Sequence, residues 1–332
     1  MKKDRDCARR ALPLAAALLL LTLTAAPASA LFGIGGAERA KADEGAPIAQ
    51  SMEIRAYRGI PYTGTFSAID REGGEVSFVL VTGPEKGTLT LDGDTFVYTA
   101  GKSRSGSDRF TYAAVDEAGN TSAAAEVRII IERVRSGVTY DDMADCAAYT
   151  AAVDLAERGI FVGAQVGDKR FFEPERTVSR GEFVTMALAA AGISADTCAL
   201  TGFCDDAEIP SWAKGSAVSA LQCGLIRGVR TEEGVAFCAA NGVTLSEAAS
   251  VLNRLLRVTD VDLTDAPTDG VSAWSAQAVA NLESVSVIES GSFGEGDFSR
   301  PLTRGEAAQL LSAAMTLADK KQGAGRLTEL FN

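Results

Sequence analysis

The sequence predicts a multidomain protein in which an all-β sandwich is followed by an all-α array of three units. Two observations predict this order. Between Pro47 and Glu132, apolar and polar residues alternate with a period of two, and β-branched and aromatic residues are frequent. From residue 138 onward one pattern occurs three times, and each copy holds two segments with the apolar spacing of a helix. Repeats of this kind bury their apolar faces against one another, so a ligand is expected in the grooves between them.

Short alternating runs predict the strands of the β region, which we place at residues 47–133. Asp92-Gly93 lies between two of these runs and predicts a two-residue hairpin turn. About seven short strands in so short a segment are typical of a sandwich of two sheets. The clearest runs are Glu75–Val81, Thr88–Leu91, Thr95–Thr99, Arg109–Tyr112 and Ala125–Ile131.

Three stretches of the β region, Gly87–Thr99, Gly106–Tyr112 and Asp116–Asn120, resemble bacterial Ig-like and cadherin-like surface repeats. The resemblance implies packed strands rather than an active site. Asp70, Glu72, Asp116 and Asn120 could bind Ca²⁺, but they lack the spacing of a dedicated loop, so we expect ordinary turns and no metal.

Each of the three copies opens with an Asp and reaches a Ser or Thr 37, 39 or 38 residues later. We expect the Asp residues to form turns or cap helices, and the intervening Phe residues to fill the core. A first helix is predicted in each copy, and Gly159 and Gly224 are expected to end the first two in a left-handed conformation, whereas the third copy has Ser286. The Asp residues are Asp142, Asp205 and Asp265, the hydroxyl residues Ser179, Thr244 and Thr303, the Phe residues Phe172, Phe237 and Phe298, and the first helices Ala147–Arg158, Trp212–Cys223 and Trp274–Val285.

A Glu follows each hydroxyl residue by three positions and begins a second helical segment, which predicts a capping box. Capping explains the hydroxyls and Glu182, Glu247 and Glu306. It does not explain Arg180 and Arg304, because positive charge is mildly unfavourable in the first turn of a helix. A guanidinium beside free N-terminal amides would bind a carboxylate or phosphate, and we expect this anion site at both arginines.

The elements Ser179-Arg-Gly-Glu182 and Thr303-Arg-Gly-Glu306, with the Asp-containing openings, resemble S-layer homology repeats over residues 138–318. The resemblance implies a pseudo-threefold arrangement and non-covalent binding of a secondary cell-wall polysaccharide with acidic pyruvyl groups. The site residues it implies are Arg180 and Arg304, with Glu182 and Glu306 supporting them. The middle copy has Leu245 in place of the arginine and is expected to be structural.

Two tryptophans, Trp212 and Trp274, begin the first helices of the second and third copies, where the first copy has Ala147 or Ala148. An indole ring could stack on a sugar, which would add both tryptophans to the polysaccharide site. Packing in the core is the favoured interpretation for each ring.

The N-terminal residues 1–30 predict a secretory signal that is removed. Five basic residues precede an apolar run from Ala11 to Ala26, and Ala28-Ser-Ala30 follows it. The run is short for a membrane span, so we expect no membrane insertion after cleavage. The net charge is -12 for the whole chain and -15 without these residues, which disfavours nucleic acid as a partner.

Enzymatic chemistry finds little support in the residues present. The chain has no His, which excludes Ser-His and Cys-His nucleophile systems. No glycine-rich phosphate loop follows a strand, and no pair of carboxylates stands out, so we expect no activity and no cofactor.

Five cysteines lie after the signal, and in an exported protein disulfides are plausible. Cys146 could pair with Cys198 or Cys204, and Cys223 with Cys238. The alternative is reduced, buried thiols that pack as small apolar groups.

The sequence therefore predicts a non-catalytic surface protein, secreted and held at the cell wall or S-layer by its three repeats, that displays an Ig-like module. The expected partner is the wall polysaccharide or a peptidoglycan-linked glycan. Other surface-layer proteins are further candidate partners. The alternative functions are a cell-wall glycan hydrolase and a protein-interaction scaffold. The expected order is signal 1–30, tether 31–46, β-sandwich 47–133, linker 134–137, repeats 138–195, 200–258 and 260–318, and tail 319–332.

Overall fold

A computed structural model describes residues 45–144, 146–264, 270–288 and 297–322. The predicted signal, most of the tether, Asp265 and residues 323–332 lie outside these ranges. Within them, a β-rich Ig-like region is followed by a helical region with six α-helices.

Seven strands of the β region form two facing sheets, and a further pair, β1 with β4, lies beside them. The sheet orders are β2-β9-β8-β5 and β3-β7-β6; β2 and β9 run parallel, and the other pairs are antiparallel. The strands are β1 Ile48–Ala49, β2 Met52–Tyr57, β3 Pro61–Thr65, β4 Ala68–Ile69, β5 Val76–Thr82, β6 Gly87–Asp92, β7 Thr95–Ala100, β8 Gly106–Asp116 and β9 Ala125–Glu132.

Alternation along the strands builds the core between the sheets. In β7 every second residue is buried, so Phe96 and Tyr98 point inward together with Phe110 and Tyr112 of β8. The hairpin turn differs by one residue from the prediction. Asp92 pairs with Thr95, so the two loop residues begin with Gly93, whose φ of +60° a residue without Cβ adopts readily.

The carboxylates considered for Ca²⁺ are engaged in turns. Asp70 accepts hydrogen bonds from the amides of Glu72 and Gly74, and Asp116 accepts from both the backbone and the side-chain amide of Asn120. These are the local bonds that Asp makes in turns.

In the helical region, each of the three repeats contributes two helices. Repeat 1 has α1 and α2, repeat 2 has α3 and α4, and repeat 3 has α5 and α6. The bounds are α1 Tyr149–Glu157, α2 Arg180–Ala190, α3 Ser211–Gln222, α4 Leu245–Leu256, α5 Ala276–Ser284 and α6 Arg304–Gln322. Helix α6 continues past residue 318, the predicted end of the third repeat.

Two small hairpins occupy the part of repeats 1 and 2 where the sequence predicted only a loop. The strands are β10 Ala164–Val166 with β11 Lys169–Phe171, and β12 Val229–Thr231 with β13 Gly234–Ala236. After each hairpin a buried aromatic side chain, Phe172 or Phe237, enters the core as predicted, and Phe298 of repeat 3 is half-buried.

The local helix signals are confirmed. Ser179 and Thr244 form capping boxes with Glu182 and Glu247. In repeat 3 the hydroxyl of Thr303 accepts from the Glu306 amide at 3.2 Å, and the Glu306 carboxylate accepts from the Thr303 amide at 2.8 Å. The first helices end in left-handed residues, Gly159, Gly224 and Ser286, with φ of 70°, 71° and 55°.

The β-rich and helical regions share a buried contact. Tyr57 and Ile60 of the Ig-like region belong to the apolar core of the helical region. The hydroxyl of Thr150 donates to the carbonyl of Pro61 at 3.0 Å. The predicted linker is held as well, because Glu157 accepts hydrogen bonds from the backbone amides of 135 and 136.

Candidate functional site

The segments before the three capped helices meet in a ring of hydrogen bonds. The amide of Val178 donates to the carbonyl of Leu302, Leu302 donates to Val243, and Val243 donates back to Val178, at 3.0, 2.8 and 3.0 Å. Isolated antiparallel bridges between the same segments accompany these bonds. The ring brings the N-terminal turns of α2, α4 and α6 to one part of the molecule.

Around this ring, each of these N-terminal turns packs on the next repeat, and we call the contacts junctions 1/2, 2/3 and 3/1. At junction 1/2 the Cβ direction of Gly181 in α2 meets Trp212 and Ala213 at 3.4 and 3.5 Å. At junction 2/3 the hydroxyl of Ser275 donates to that of Ser246 at 3.0 Å. At junction 3/1 the Cβ direction of Gly305 meets Ala148 at 3.2 Å. Corresponding residues of the repeats thus make corresponding contacts.

The expectation of free amides beside the arginines is wrong. At junction 1/2 the amides of Arg180 and Gly181 donate to the carbonyls of Asn241 and Ala239 at 2.7 and 2.9 Å. At junction 3/1 the amides of Arg304 and Gly305 donate to the carbonyls of residues 176 and 174 at 2.8 and 2.9 Å. The loop of the next repeat therefore supplies the acceptors that an anion would otherwise provide.

Arg304 contacts protein groups with its side chain. The residue is 5% exposed, and its guanidinium donates to the Phe172 carbonyl at 2.6 Å and to the Glu173 carboxylate at 3.0 Å. Its guanidinium carbon also lies 4.9 Å from the centre of the Phe161 ring. Arg304 therefore joins repeat 3 to repeat 1, and the carboxylate beside it belongs to the protein.

Arg180 makes a related but less complete set of contacts. Its side chain is 11% exposed and donates to the carboxylate of Glu247 at 2.6 Å. The position of Glu173 is taken in repeat 2 by Cys238, so the second carboxylate is missing. Within the described residues, the buried Nε of Arg180 has no hydrogen-bond partner.

The capping glutamates of repeats 1 and 3 hold a second arginine from their own repeat. Arg176 donates to Glu182 and Arg300 to Glu306, both at 2.9 Å. Burial opposes the charge of Glu306, but the hydrogen bonds from Arg300 and Thr303 outweigh it and hold the pKa of this carboxyl below its usual value. Both predicted site glutamates thus serve capping and ion pairing in the described structure.

The favoured interpretation of the tryptophans as core residues is wrong. Trp212 is 54% exposed and Trp274 is 63% exposed. Each stands next to the small residue, Ala213 or Ser275, that packs on the preceding repeat, so the indole is left at the edge of the junction. The two rings offer flat apolar surface with one hydrogen-bond donor each, as sugar-stacking residues do.

Two grooves lie near the junctions. One, of about 650 Å³, is at junction 3/1, and its lining includes Asp141, Glu175, Glu306 and Gln309. The other, of about 430 Å³, lies in repeat 2 between the β12–β13 hairpin and the loop that follows it. Within the described part of the chain, both linings contain several carboxylates and no Lys or Arg.

The five cysteines in the described ranges are free thiols, so none of the expected disulfide pairs is formed among them. Cys204 and Cys223 are exposed and the other three are half-buried, which also differs from the alternative of buried thiols. Cys204 and Cys238 line the repeat 2 groove together, a proximity that the sequence did not predict.

Sequence reasoning missed Glu173 and Asn241 as determinants of the arginine contacts. Glu173 supplies the carboxylate for Arg304, and Asn241 stands where repeats 1 and 3 have Arg176 and Arg300, which leaves Glu247 available to Arg180. Alignment of the repeats would have revealed these substitutions, but not the partners across the junctions.

The described ranges contain neither a membrane-spanning helix nor a cluster of metal-ligand side chains. No helix there is both long and apolar enough to span a bilayer. Nor do the described side chains form a group of three or more His, Cys, Asp or Glu residues suited to a metal ion.

Comparison with known proteins identifies the β region only. Residues 44–130 match the family model described as a bacterial Ig domain. No S-layer homology domain is detected, and no curated protein matches the chain.

Solved structures similar to this chain include an endo-fucoidan hydrolase from glycoside hydrolase family 107, the sialic acid binding region of the Streptococcus sanguinis SK1 adhesin and titin domain M7. Their identities are 20%, 21% and 12%, with TM-scores of 0.24, 0.21 and 0.19. The alignments cover 28%, 29% and 26% of this chain and 14%, 31% and 95% of those structures. The chain thus spans less than a third of the hydrolase and of the adhesin region. The family match therefore shows a bacterial Ig-like domain at residues 44–130.

Proposed function

We propose that this is a non-catalytic cell-surface protein whose three repeats form an S-layer homology array around a pseudo-threefold axis. The array anchors the protein to a secondary cell-wall polysaccharide, and the Ig-like domain is displayed for a structural or adhesive role. The observation that carries the proposal is the ring of three junctions, with an exposed indole at two of them. Exposed aromatic rings at the edges of repeat grooves favour a ligand with flat apolar faces and many hydroxyls, which is a glycan.

The structure changes which residues we assign to the glycan. Trp212 and Trp274 provide the stacking surfaces. An acidic group that bound Arg304 would have to displace the Glu173 carboxylate and reach a side chain that is only 6% exposed. Arg180 is better suited to an acidic sugar, because its buried Nε has no hydrogen-bond partner in the described part of the chain.

The test is retention of the purified protein on cell-wall sacculi, prepared with and without their attached polysaccharide. We expect retention that requires the polysaccharide and falls about tenfold in a Trp212→Ala, Trp274→Ala double variant, since two stacking contacts together contribute about 1–2 kcal/mol. The matched control is Val166→Ala with Leu200→Ala, which also removes two large exposed side chains but leaves the indoles in place.

Retention that survives removal of both the polysaccharide and the indoles would contradict the proposal and favour a protein partner. An Arg180→Ala variant then tests the acidic group separately. It should weaken binding to pyruvylated polysaccharide more than to the same polysaccharide after chemical removal of the pyruvyl groups. Equal losses on both would assign Arg180 to the junction alone.

A further inference from the structure

The three junctions are alike in backbone but differ at one side chain. Twelve residues before each left-handed helix end, repeats 2 and 3 have Trp212 and Trp274, and repeat 1 has Ala147. The next residue packs on the preceding repeat in every case: Ala213 on Gly181, Ser275 on Ser246 and Ala148 on Gly305. Ala147 is exposed, as the two indoles are.

The missing indole leaves space at junction 3/1. Trp212 approaches the first turn of α2 to 3.4 Å from the Cβ direction of Gly181. At junction 3/1 no ring stands in the corresponding place, and a groove of about 650 Å³ lies there instead. This volume is within the range of small-molecule sites and would admit one or two sugar rings.

The lining of this groove determines what it can accept. Its apolar part includes Ala147, Ala148 and Pro174, and its polar part includes Asp141, Glu175 and Gln309. Glu306 also lines it, but that carboxylate is engaged by Arg300 and by the Thr303 amide. Asp141 accepts from the Arg170 amide at 3.1 Å and lies 3.9 Å from the ammonium group of Lys169, so Glu175 is the least engaged of these carboxylates. Among the described lining residues there are acceptors and no cationic side chain, so the groove suits hydroxyl and ammonium donors and disfavours anions.

We propose that the groove at junction 3/1 binds a neutral or amino-bearing saccharide unit and excludes acidic sugars. The assignment of a glycan rests on the proposed function, whereas the selection against acidic sugars follows from the lining. The three junctions then differ in role: two offer an indole at the surface, and the third takes a sugar into a groove that Ala147 leaves open.

The test uses the full chain and three soluble probes: a disaccharide of N-acetylglucosamine, a disaccharide of glucosamine and a disaccharide that contains glucuronic acid. Binding is measured by saturation-transfer NMR and calorimetry. We expect the first two probes to bind and the acidic probe to bind at least tenfold more weakly. Salt should weaken binding of the glucosamine probe most, because its ammonium groups face carboxylates.

The decisive variant is Ala147→Trp, which fills the groove with the residue that repeats 2 and 3 already hold at this position. It should fold with an unchanged midpoint of thermal unfolding and lose binding of both favoured probes by tenfold or more. A smaller change, Ala147→Gln, provides a second blocking variant. Ala124→Trp is the matched control, because it adds the same side chain at an exposed position of the Ig-like region, outside the lining of this groove.

Unchanged binding in both Ala147 variants, or equal binding of the acidic probe, would overturn the inference, and so would failure of all three probes to bind. The sacculus experiment is independent of these results. If sacculi retain the protein while the probes fail, only the groove assignment is lost. If the probes bind through Ala147 while sacculi do not retain the protein, only anchoring is lost.

Discussion

Asp142 and Asp205 each hold a strained backbone position far along their own repeat. The two oxygens of Asp142 accept from the amides of Phe172 and Glu173 at 2.9 and 2.7 Å. Asp205 binds the corresponding amides of repeat 2 at 2.8 and 2.7 Å. In both loops the second residue has φ of 57°, which costs a side-chain-bearing residue roughly 1–2 kcal/mol. A carboxylate shared by two amides offsets that cost, so the predicted role as local turn or helix caps is replaced by a long-range contact.

We expect Asp142→Ala to lower the free energy of unfolding by about 2–3 kcal/mol, because two amides lose a charged acceptor. Urea unfolding followed by far-UV circular dichroism measures the change. Asp168→Ala, at an exposed hairpin turn in the same repeat, serves as the control and should change stability by less than about 0.5 kcal/mol. An equal effect of the two substitutions would contradict the assignment.

Ser286 ends α5 in the left-handed conformation that Gly159 and Gly224 adopt in the other repeats. Ser286→Gly should raise the free energy of unfolding by about 0.5–1 kcal/mol, since the side chain is exposed and glycine adopts this φ without strain. The reverse change, Gly224→Ser, should lower it by a similar amount. Thermal unfolding of the two variants checks the pair, and a shift in the same direction for both would refute the explanation.

At the scale of elements, Asp108 on β8 fixes the connection between β5 and β6. It is buried and accepts hydrogen bonds from the amides of Glu85 and Lys86 and from the hydroxyl of Tyr98 at 3.0, 2.8 and 2.8 Å. Burial opposes its charge, but these bonds outweigh burial and hold the pKa of Asp108 below its usual value.

Because the folded pKa of Asp108 is lower than the unfolded one, its carboxylate stabilises the fold above pH about 4, and this contribution is lost as the pH falls through the folded value. Asp108→Asn should therefore destabilise the protein by about 1–3 kcal/mol at pH 7 and by less at pH 3. Urea midpoints at both pH values measure the difference. Asp92→Asn, on the exposed end of β6, is the control. A difference in stability between Asp108→Asn and the unsubstituted protein that stayed constant with pH would argue against the mechanism.

Element prediction succeeded where the signal was local. The capping boxes connect residues three apart, and the left-handed ends of α1 and α3 depend on a single glycine, so both could be identified from the sequence. The hairpins β10–β11 and β12–β13 were missed because each strand has three residues, too few for an alternating pattern to stand out.

In the whole molecule, Asp154 on α1 links the Ig-like region to the helical region. It is 8% exposed and accepts from the hydroxyls of Tyr57 and Ser312 at 3.5 and 2.8 Å and from Nε of Arg158 at 3.0 Å. Arg158 in turn pairs with Asp319 at 2.8 Å on the last helix. These contacts join β2, α1 and α6, and they fix the Ig-like region to the helical region.

We expect Asp154→Ala to uncouple the two regions, because Arg158 loses a buried partner and the Tyr57 hydroxyl loses its acceptor. The free energy of unfolding should fall by about 3 kcal/mol. Differential scanning calorimetry should resolve two transitions where the unsubstituted protein has one. Glu126→Ala, which removes an exposed ion pair on β9, should leave a single transition. Two transitions before any substitution would show that the contact does not couple the regions.

The sequence by itself determined the elements whose signals lie within one or two turns of chain: the alternating strands, the paired helices of each repeat and the caps that begin them. Only the tertiary structure decided what the arginines and tryptophans face. Arg180 meets a carboxylate 67 residues away and Arg304 a carbonyl 132 residues away, so their partners depend on how the repeats close on one another. The tryptophans are exposed for the same reason: the small residue beside each ring packs on the preceding repeat and leaves the ring at the edge of that contact. Which of these side chains are buried depends on how the three repeats pack together, and the spacing of residues within a single repeat does not specify that packing.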